Sequence, residues 1–458
     1  MIKTLIARPA LGIIFAFIFV AFAWRLVSAL YIDVLGPLFS EQLDRDIGPG
    51  ISAVPLALSQ AIVIAMVLYS FRPERLKGLY CEADAWSEKG PRRYLRPLSD
   101  LAFWAAGIFI FLLWIEMFAR GPIPLFADME RYDYARLYAG PLHRRLLQWG
   151  PMLAFQLGIF LAAPMLRGRL PDRRFVVLFA ALILYLFFVG HRFSSFFAYT
   201  TFLVIPVGAV LLVKQGRTYR PWREMLPKRG VRYLYLAGGA LALLVGLAVL
   251  HSYTAVRGVE GSRLVTKLVQ RILVQQSEMW WMTYERVFLQ QDWSSSFAAF
   301  KIFIAPFDPS RNSTMQFLME LGLPIERAHV ILEQGTSYTG GWPEVLFELA
   351  GPLGGFVLVA FCALMLSEFM FLLVRCIVLE RFVSCVFLTP VMYTVMIFVT
   401  AGMANSFIQL TFLFKVAVAI VTYLVEVRWQ QSYLVRSESN DGACVAQERT
   451  WVSWWRDL

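Results

Sequence analysis

Arginine, histidine and glutamate gather in three stretches of this sequence. In VGHRFSSFF, Gly190, His191 and Arg192 form a tight turn between two apolar runs. A guanidinium held by so short a connection offers a planar fork of donors matched to phosphate oxygens; equally, it can cap the preceding helix by binding its last carbonyls. The stretch IERAHVILEQGTSYTGGWPEVLFELAGPLGGF combines Arg327, His329, Glu333, Tyr338, Glu344 and Glu348 with six glycines. Glycine lets backbone approach a ligand closely, and a carboxylate or imidazole in a half-dry pocket can reach the range of a general base. The plainer reading gives Gly351, Gly354 and Gly355 to close helix packing and makes Glu344 a favourable charge at a helix start. The third stretch, PIPLFADMERYDYARLYAGPLHRR, brings together Arg131, Asp133, Tyr134 and Arg136. That mixture suits a polar glycan surface and a solvated loop alike.

Other chemistries find little support. Asp44-Arg45-Asp46 is too short a triplet to specify a divalent metal, and no pair of histidines at helical spacing supports zinc. Walker A and dinucleotide-binding glycine patterns are absent from the sequence. The five cysteines, Cys81, Cys362, Cys376, Cys385 and Cys444, form no CxxC pair. No metal and no cofactor is expected.

The elements that carry these stretches are set by composition. Of 458 residues, 58% are hydrophobic, 15% aromatic and 16% charged, with a mean hydropathy of +0.59. Soluble domains carry about 45–50% apolar and about 25% charged residues, so an ordinary soluble enzyme is excluded, as is disorder. Apolar runs long enough to span a bilayer occur near 10–32, 51–71, 98–118, 146–166, 175–190, 193–213, 233–252, 342–374, 380–402 and 406–425, about ten in all. The net charge of +11 lies in short Arg/Lys blocks between these runs, which orients helices and predicts no nucleic-acid partner. Those blocks alternate with acidic or neutral loops, and the positive-inside rule places both termini in the cytoplasm. Ala21-Phe22-Ala23 resembles a signal-cleavage site, but the apolar run continues through Leu30, which favours a retained anchor.

A single integral-membrane domain over 1–458 is expected, with long outer loops at 119–145 and 253–341 and a cytoplasmic tail over 426–458. In the second loop, EMWWMTYERVFLQQ predicts a helix lying at the membrane interface around Trp280 and Trp281. All four histidines, His143, His191, His251 and His329, fall on the outer side, with Arg25, Glu116, Arg120, Arg257 and Arg327. Ionisable groups near membrane depth are costly and suggest function, although long side chains at helix ends also snorkel to water.

About ten spans, a G-x-R turn between middle helices (Gly190, His191, Arg192), a long late loop and the element Glu348-x-x-Gly351-x-x-Gly354 together resemble the bacterial O-antigen polymerases. These oligosaccharide repeat-unit polymerases share an all-α, glycosyltransferase-C type fold with the O-antigen ligases. The resemblance implies a glycosyltransferase of the bacterial inner membrane, with undecaprenyl-pyrophosphate-linked glycan and membrane lipids as partners and a chain-length regulator beside it. It implies that the growing chain leaves its lipid pyrophosphate at the periplasmic face for the sugar end of another repeat unit. Carried over by position, Arg192 would contact the pyrophosphate, and Glu348 with Gly351 and Gly354 matches the family's late element. The clustering of ionisable residues on the outer side assigns Arg327 and Arg257 to the pyrophosphate as well. His329, Glu344 and Glu348 would serve as base or position the acceptor, and Arg131, Arg136, His191 and Tyr338 would contact substrate. Relatives show Asn, Ser or Gln after the loop histidine, whereas Val330 follows His329 here. An O-antigen ligase of the same fold and a lipid-linked oligosaccharide flippase or transporter are the alternative readings. Transporters usually show paired repeats and broken helices, and no repeat is visible in this sequence.

Overall fold

The structure, a computed structural model, describes residues 9–89, 95–127, 131–191, 193–218, 262–303, 314–333 and 340–441, with single positions 239 and 246. Among them the chain is all-α apart from one small hairpin. It begins with α1 (Pro9–Ile14) and α2 (Ala16–Leu35), nearly continuous across Phe15. The hairpin pairs β1 (Leu38–Ser40) antiparallel with β2 (Arg45–Ile47), Phe39 facing Asp46. Then come α3 (Ala53–Ser70), α4 (Pro73–Lys89), α5 (Leu95–Arg120), α6 (Arg131–Leu137), α7 (Pro141–Leu166), α8 (Arg173–Phe188) and α9 (Phe193–Thr218). The late loop folds into α10 (Ser262–Val269), a π turn at Gln270–Val274, α11 (Glu278–Tyr284), a second π turn at Glu285–Leu289, α12 (Ser295–Phe303), α13 (Thr314–Gly322) and α14 (Ile325–Glu333). Three long helices close the chain: α15 (Trp342–Val378), α16 (Phe382–Ala401) and α17 (Leu410–Asp441).

Eight of the described helices, α2, α3, α5, α7, α9, α15, α16 and α17, are long and apolar enough to cross a membrane. The chain is an all-α polytopic membrane protein. Two expected spans fare differently. The run near 175–190 is helical as α8, but its 16 residues reach only about 24 Å against a hydrocarbon layer of about 30 Å. The run near 233–252, apart from Gly239 and Gly246, lies outside the described residues. Helix α17 continues through Asp441, past the point where the tail was expected to begin.

Local chemistry explains the helix ends that matter here. Gly140 and Pro141 open α7, proline being pre-set for a first helical turn. Gly402 closes α16 in the left-handed region, φ 65°, as C-terminal glycines do. Along the α7–α9 contact, Gly158 faces the Leu203 backbone and Gly150 faces the Tyr199 hydroxyl, where any side chain would collide. Small residues allow that approach between apolar helices. Helix α15 is broken once: Gly351 has φ 72° and is followed by Pro352, and the Trp293 ring occupies the place of the missing side chain.

The bundle has two ends. At the end carrying the basic blocks, Arg75 grips Glu368 with two bonds of 2.6 and 2.8 Å. Arg375 grips Glu82 at 2.9 and 2.8 Å, Arg167 bonds Glu380, and Arg174 bonds Asp100 at 2.7 Å. The opposite end carries the hairpin and the late loop. Trp280 and Trp281 of the late loop do not lie on an exposed surface. Trp280 is fully buried and Trp281 nearly so, and the Trp280 indole donates to the Ser52 carbonyl at 2.8 Å. Rings of Phe288, Phe347 and Phe356 surround Trp280 and one another with centroids 4.9–6.3 Å apart. The late loop thus seats its aromatics in the bundle, where burial of each large ring contributes the most.

Candidate functional site

A cavity of about 330 Å³ opens at the loop end between α6, α7, α9 and α16. Its polar lining is His143, His191, Ser195, Tyr199 and Tyr393, and its apolar lining includes Leu147, Pro151, Ala198 and Met396. The two imidazole centroids are 6.2 Å apart. The start of α7 brings His143 here because the Glu116 carboxylate, from the end of α5, accepts the Leu142 and His143 amides at 3.1 and 2.9 Å. An acid at a helix N-terminus satisfies amides that have no partner within the helix. Nδ1 of His143 stands 2.8 Å from the Tyr185 hydroxyl, and the Tyr134 ring meets the imidazole edge-on at 5.4 Å. Burial raises the Tyr134 phenol above its ordinary pKa, the Glu116 charge adding to the rise and Arg120 opposing it. His191 follows α8 directly and is nine-tenths buried, with Nδ1 2.9 Å from Ser195 Oγ one turn into α9. The Tyr199 hydroxyl donates to the Leu146 carbonyl at 3.3 Å.

A second polar region lies where the late loop meets α2 and α15. Glu344 is fully buried and pairs with Arg25, which comes from the middle of α2. Its other oxygen accepts the Gly341 amide at 3.2 Å, so it also caps its own helix. Glu348, one turn on, accepts Arg286 Nε at 3.1 Å and the Ser294 amide at 3.0 Å. Arg286 also reaches Ser294 Oγ at 3.0 Å. Ser277 Oγ donates to the Arg25 carbonyl at 2.6 Å. Glu344 and Glu348, expected as bases or acceptor-positioning groups, therefore have both oxygens of each carboxylate occupied. Glu348 thereby ties residues 286–294 of the late loop to α15, and Glu344 ties α15 to α2; a buried carboxylate with an arginine partner is costly to release.

The other expected residues are dispersed. Arg327 is half-buried at the hairpin, bonding Asp44 at 2.7 Å and the Glu41 carbonyl at 2.6 Å. This contact takes up Asp44 of the D-x-D triplet, and Arg45 of the same triplet pairs with Glu285. His329, two residues beyond Arg327, is exposed on α14. Arg136 is exposed and 3.6 Å from Asp133 on the same helix, and Arg131 opens that helix. Arg192, Arg257 and Tyr338 lie outside the described residues. Among the described residues of the expected set, His191 alone lines the cavity. Among the described residues no group of three His, Cys, Asp or Glu could hold a metal ion, and Cys81, Cys362, Cys376 and Cys385 are free thiols.

Of two further buried residues, the sequence offered His143 only as one of four outer-side histidines, without a role, and did not single out Glu278 at all. His143 sits among basic neighbours in PLHRR, and only the Gly140-Pro141 helix start before it hints at a fixed position. Glu278 begins α11 fully buried, with neither oxygen in a hydrogen bond of ordinary geometry. Burial drives its pKa up to about 7; Glu41 adds to the rise, while the Ser40 hydroxyl and the Arg271 charge oppose it. The signal for it was an acid embedded in the aromatic run EMWWMTY.

Residues 308–416, under half of the chain, match a family described as a family of unknown function (DUF6418). The match takes in α13 to α16 and the start of α17, with Arg327, His329, Glu344 and Glu348. Neither the curated proteins nor the solved structures contain a match to this chain.

Proposed function

We propose that this chain is a glycosyltransferase of the bacterial inner membrane that joins lipid-pyrophosphate-linked repeat units into an O-antigen-type polysaccharide. The observation that supports the reading is the cavity at the loop end, lined by two histidines, two tyrosines and a serine within a bundle of apolar helices. In this reading the loop end faces the periplasm and the basic end the cytoplasm. No nucleotide is supplied on that face, so the donor must carry its own leaving group, and a lipid pyrophosphate does.

The acceptor hydroxyl attacks the anomeric carbon of the donor sugar. The bond from that carbon to the pyrophosphate oxygen breaks, and the lipid pyrophosphate leaves with the bonding electrons. The hydroxyl proton passes to a base, and the sugar centre gains oxocarbenium character. Arg192, the residue after His191 in the sequence, is the guanidinium assigned to the pyrophosphate. An imidazole is the natural base, because Glu344 and Glu348 are committed to arginine partners.

Purified protein incubated with lipid-linked repeat unit, without metal or nucleotide, should produce a ladder of longer lipid-linked products, and Arg192→Ala should abolish the ladder at equal expression. Unchanged substrate beside a working control polymerase overturns the reading. In cells, loss of the gene should leave lipid A-core bearing one repeat unit; bare core instead identifies a ligase.

A further inference from the structure

His143 carries information about what the cavity holds. It is 1% exposed and the Tyr185 phenol is wholly buried. Among the described residues the phenol has one hydrogen-bond partner, His143 Nδ1 at 2.8 Å. A buried O–H without an acceptor costs about 1–3 kcal/mol, so the Tyr185 hydrogen is directed at Nδ1. In a neutral imidazole a nitrogen that accepts leaves the proton on the other one. The proton of His143 therefore sits on Nε2. That nitrogen has no hydrogen-bond partner among the described residues and is not one of the sealed, unpartnered polar atoms, and the residue lines the cavity. The N–H faces the open space.

The surroundings define the acceptor. No arginine or lysine is among the described lining residues, and the rings of Tyr199 and Tyr393 form part of the wall. Neutral donors beside aromatic faces suit an uncharged ring rich in hydroxyls and with one apolar face.

We infer that His143 is a binding residue whose Nε2–H, fixed by Tyr185, donates to an oxygen of an uncharged sugar ring in this cavity. The choice of a sugar rests on the proposed glycosyl transfer; the tautomer rests on the hydrogen bonds alone.

Histidine-selective ¹⁵N NMR of the full chain in micelles tests both parts, with the His143 signal assigned by its loss in His143→Gln. The expected spectrum has Nε2 protonated and Nδ1 bare, and Tyr185→Phe releases the tautomer to a mixture. An Nδ1–H form in the unaltered protein overturns the inference. Methyl glycosides of glucose, galactose, mannose and N-acetylglucosamine are then added singly, and sugar-free undecaprenyl pyrophosphate in a separate arm. A shift of the Nε2–H signal with at least one glycoside supports the assignment. Response to the lipid pyrophosphate alone, or to none of the probes, overturns it. His143→Ala should weaken glycoside binding about fivefold to tenfold, the loss of one hydrogen bond, and His143→Gln, which keeps an N–H, should recover most of it. Glycoside binding without polymer formation leaves this inference standing and removes the polymerase reading.

Discussion

The two ends of the bundle use arginine in different settings. At the basic end, Arg75 and Arg375 meet Glu368 and Glu82, carboxylates whose side chains are about two-fifths exposed. These pairs tie neighbouring helix ends together in contact with water. At the loop end, Arg25 and Arg286 meet Glu344 and Glu348, whose side chains are fully sealed. Exposure follows the pair rather than the end, since Arg167 and Glu380 at the basic end are only 12% and 6% exposed; the clasp is modest where the acid meets water and a structural commitment where it is sealed. Guanidinium groups concentrated on one side of a membrane protein are thus weak evidence for an anion site until their partners are known. Here the sealed arginines belong to the protein's own acids, while the described lining of the open cavity is histidine, tyrosine and serine.

Breaking the Arg25–Glu344 pair has the largest expected effect. Arg25→Ala leaves a sealed carboxylate without its partner, and such losses cost about 3–5 kcal/mol. Thermal unfolding in detergent should show a large drop, and the paired change Arg25→Met with Glu344→Gln should restore most of it. A single variant as stable as the parent would remove the contrast between the two ends.

Glu278 sharpens the comparison, because it is a sealed acid at the loop end without an arginine bonded to it. Its folded pKa, about 7, lies above the ordinary value of 4.5. Its contribution is therefore fully present below about pH 4.5 and is lost as pH rises through about 7. The charged groups that act on it are already matched: Glu41 pairs with Lys267, and Arg271 bonds Gln275. Unfolding measured from pH 5 to pH 8.5 should show stability falling through neutrality, and Glu278→Gln should flatten that fall and make the protein more stable at pH 8.5. An unaltered pH profile in the variant assigns the fall to another group.

At the basic end, Arg75→Ala should cost no more than about 1 kcal/mol, as expected of a pair in contact with water. Its guanidinium also lies 4.2 Å from the Phe371 ring centroid, so a small residual loss from that contact is expected even when Glu368 is neutralised as well. A loss matching that of Arg25→Ala would mean that burial does not separate these two pairs.

The spans were legible because bilayer thickness dictates run length, a property of consecutive residues. The turn between α8 and α9 was legible for the same reason. The pairing of ionisable groups was not: Arg25 and Glu344 are 319 residues apart, and Arg286 and Glu348 are 62 apart. Nothing local in either segment announces the other. The aromatics of α11 illustrate a subtler limit. Their composition fits an interfacial helix and a buried one equally, and only the neighbouring Phe347 and Phe356, more than sixty residues on, decide for burial. His143 stood out in the sequence only as one of four histidines outside the basic blocks, and its proton is placed by Tyr185, 42 residues away.

The break at Gly351 divides α15 into two mechanical parts. Residues 352–378 extend roughly 40 Å at the usual helical rise, enough to cross the hydrocarbon layer unaided. The preceding segment, 342–350, is not needed for the crossing and changes direction at the Trp293 ring. Glu348, which holds the late loop through Arg286 and Ser294, and Glu344, which holds Arg25 of α2, both sit on this short stub. A pull on residues 286–294 would therefore be met first by the stub, whose Trp342, Glu344 and Phe347 are themselves buried in the bundle.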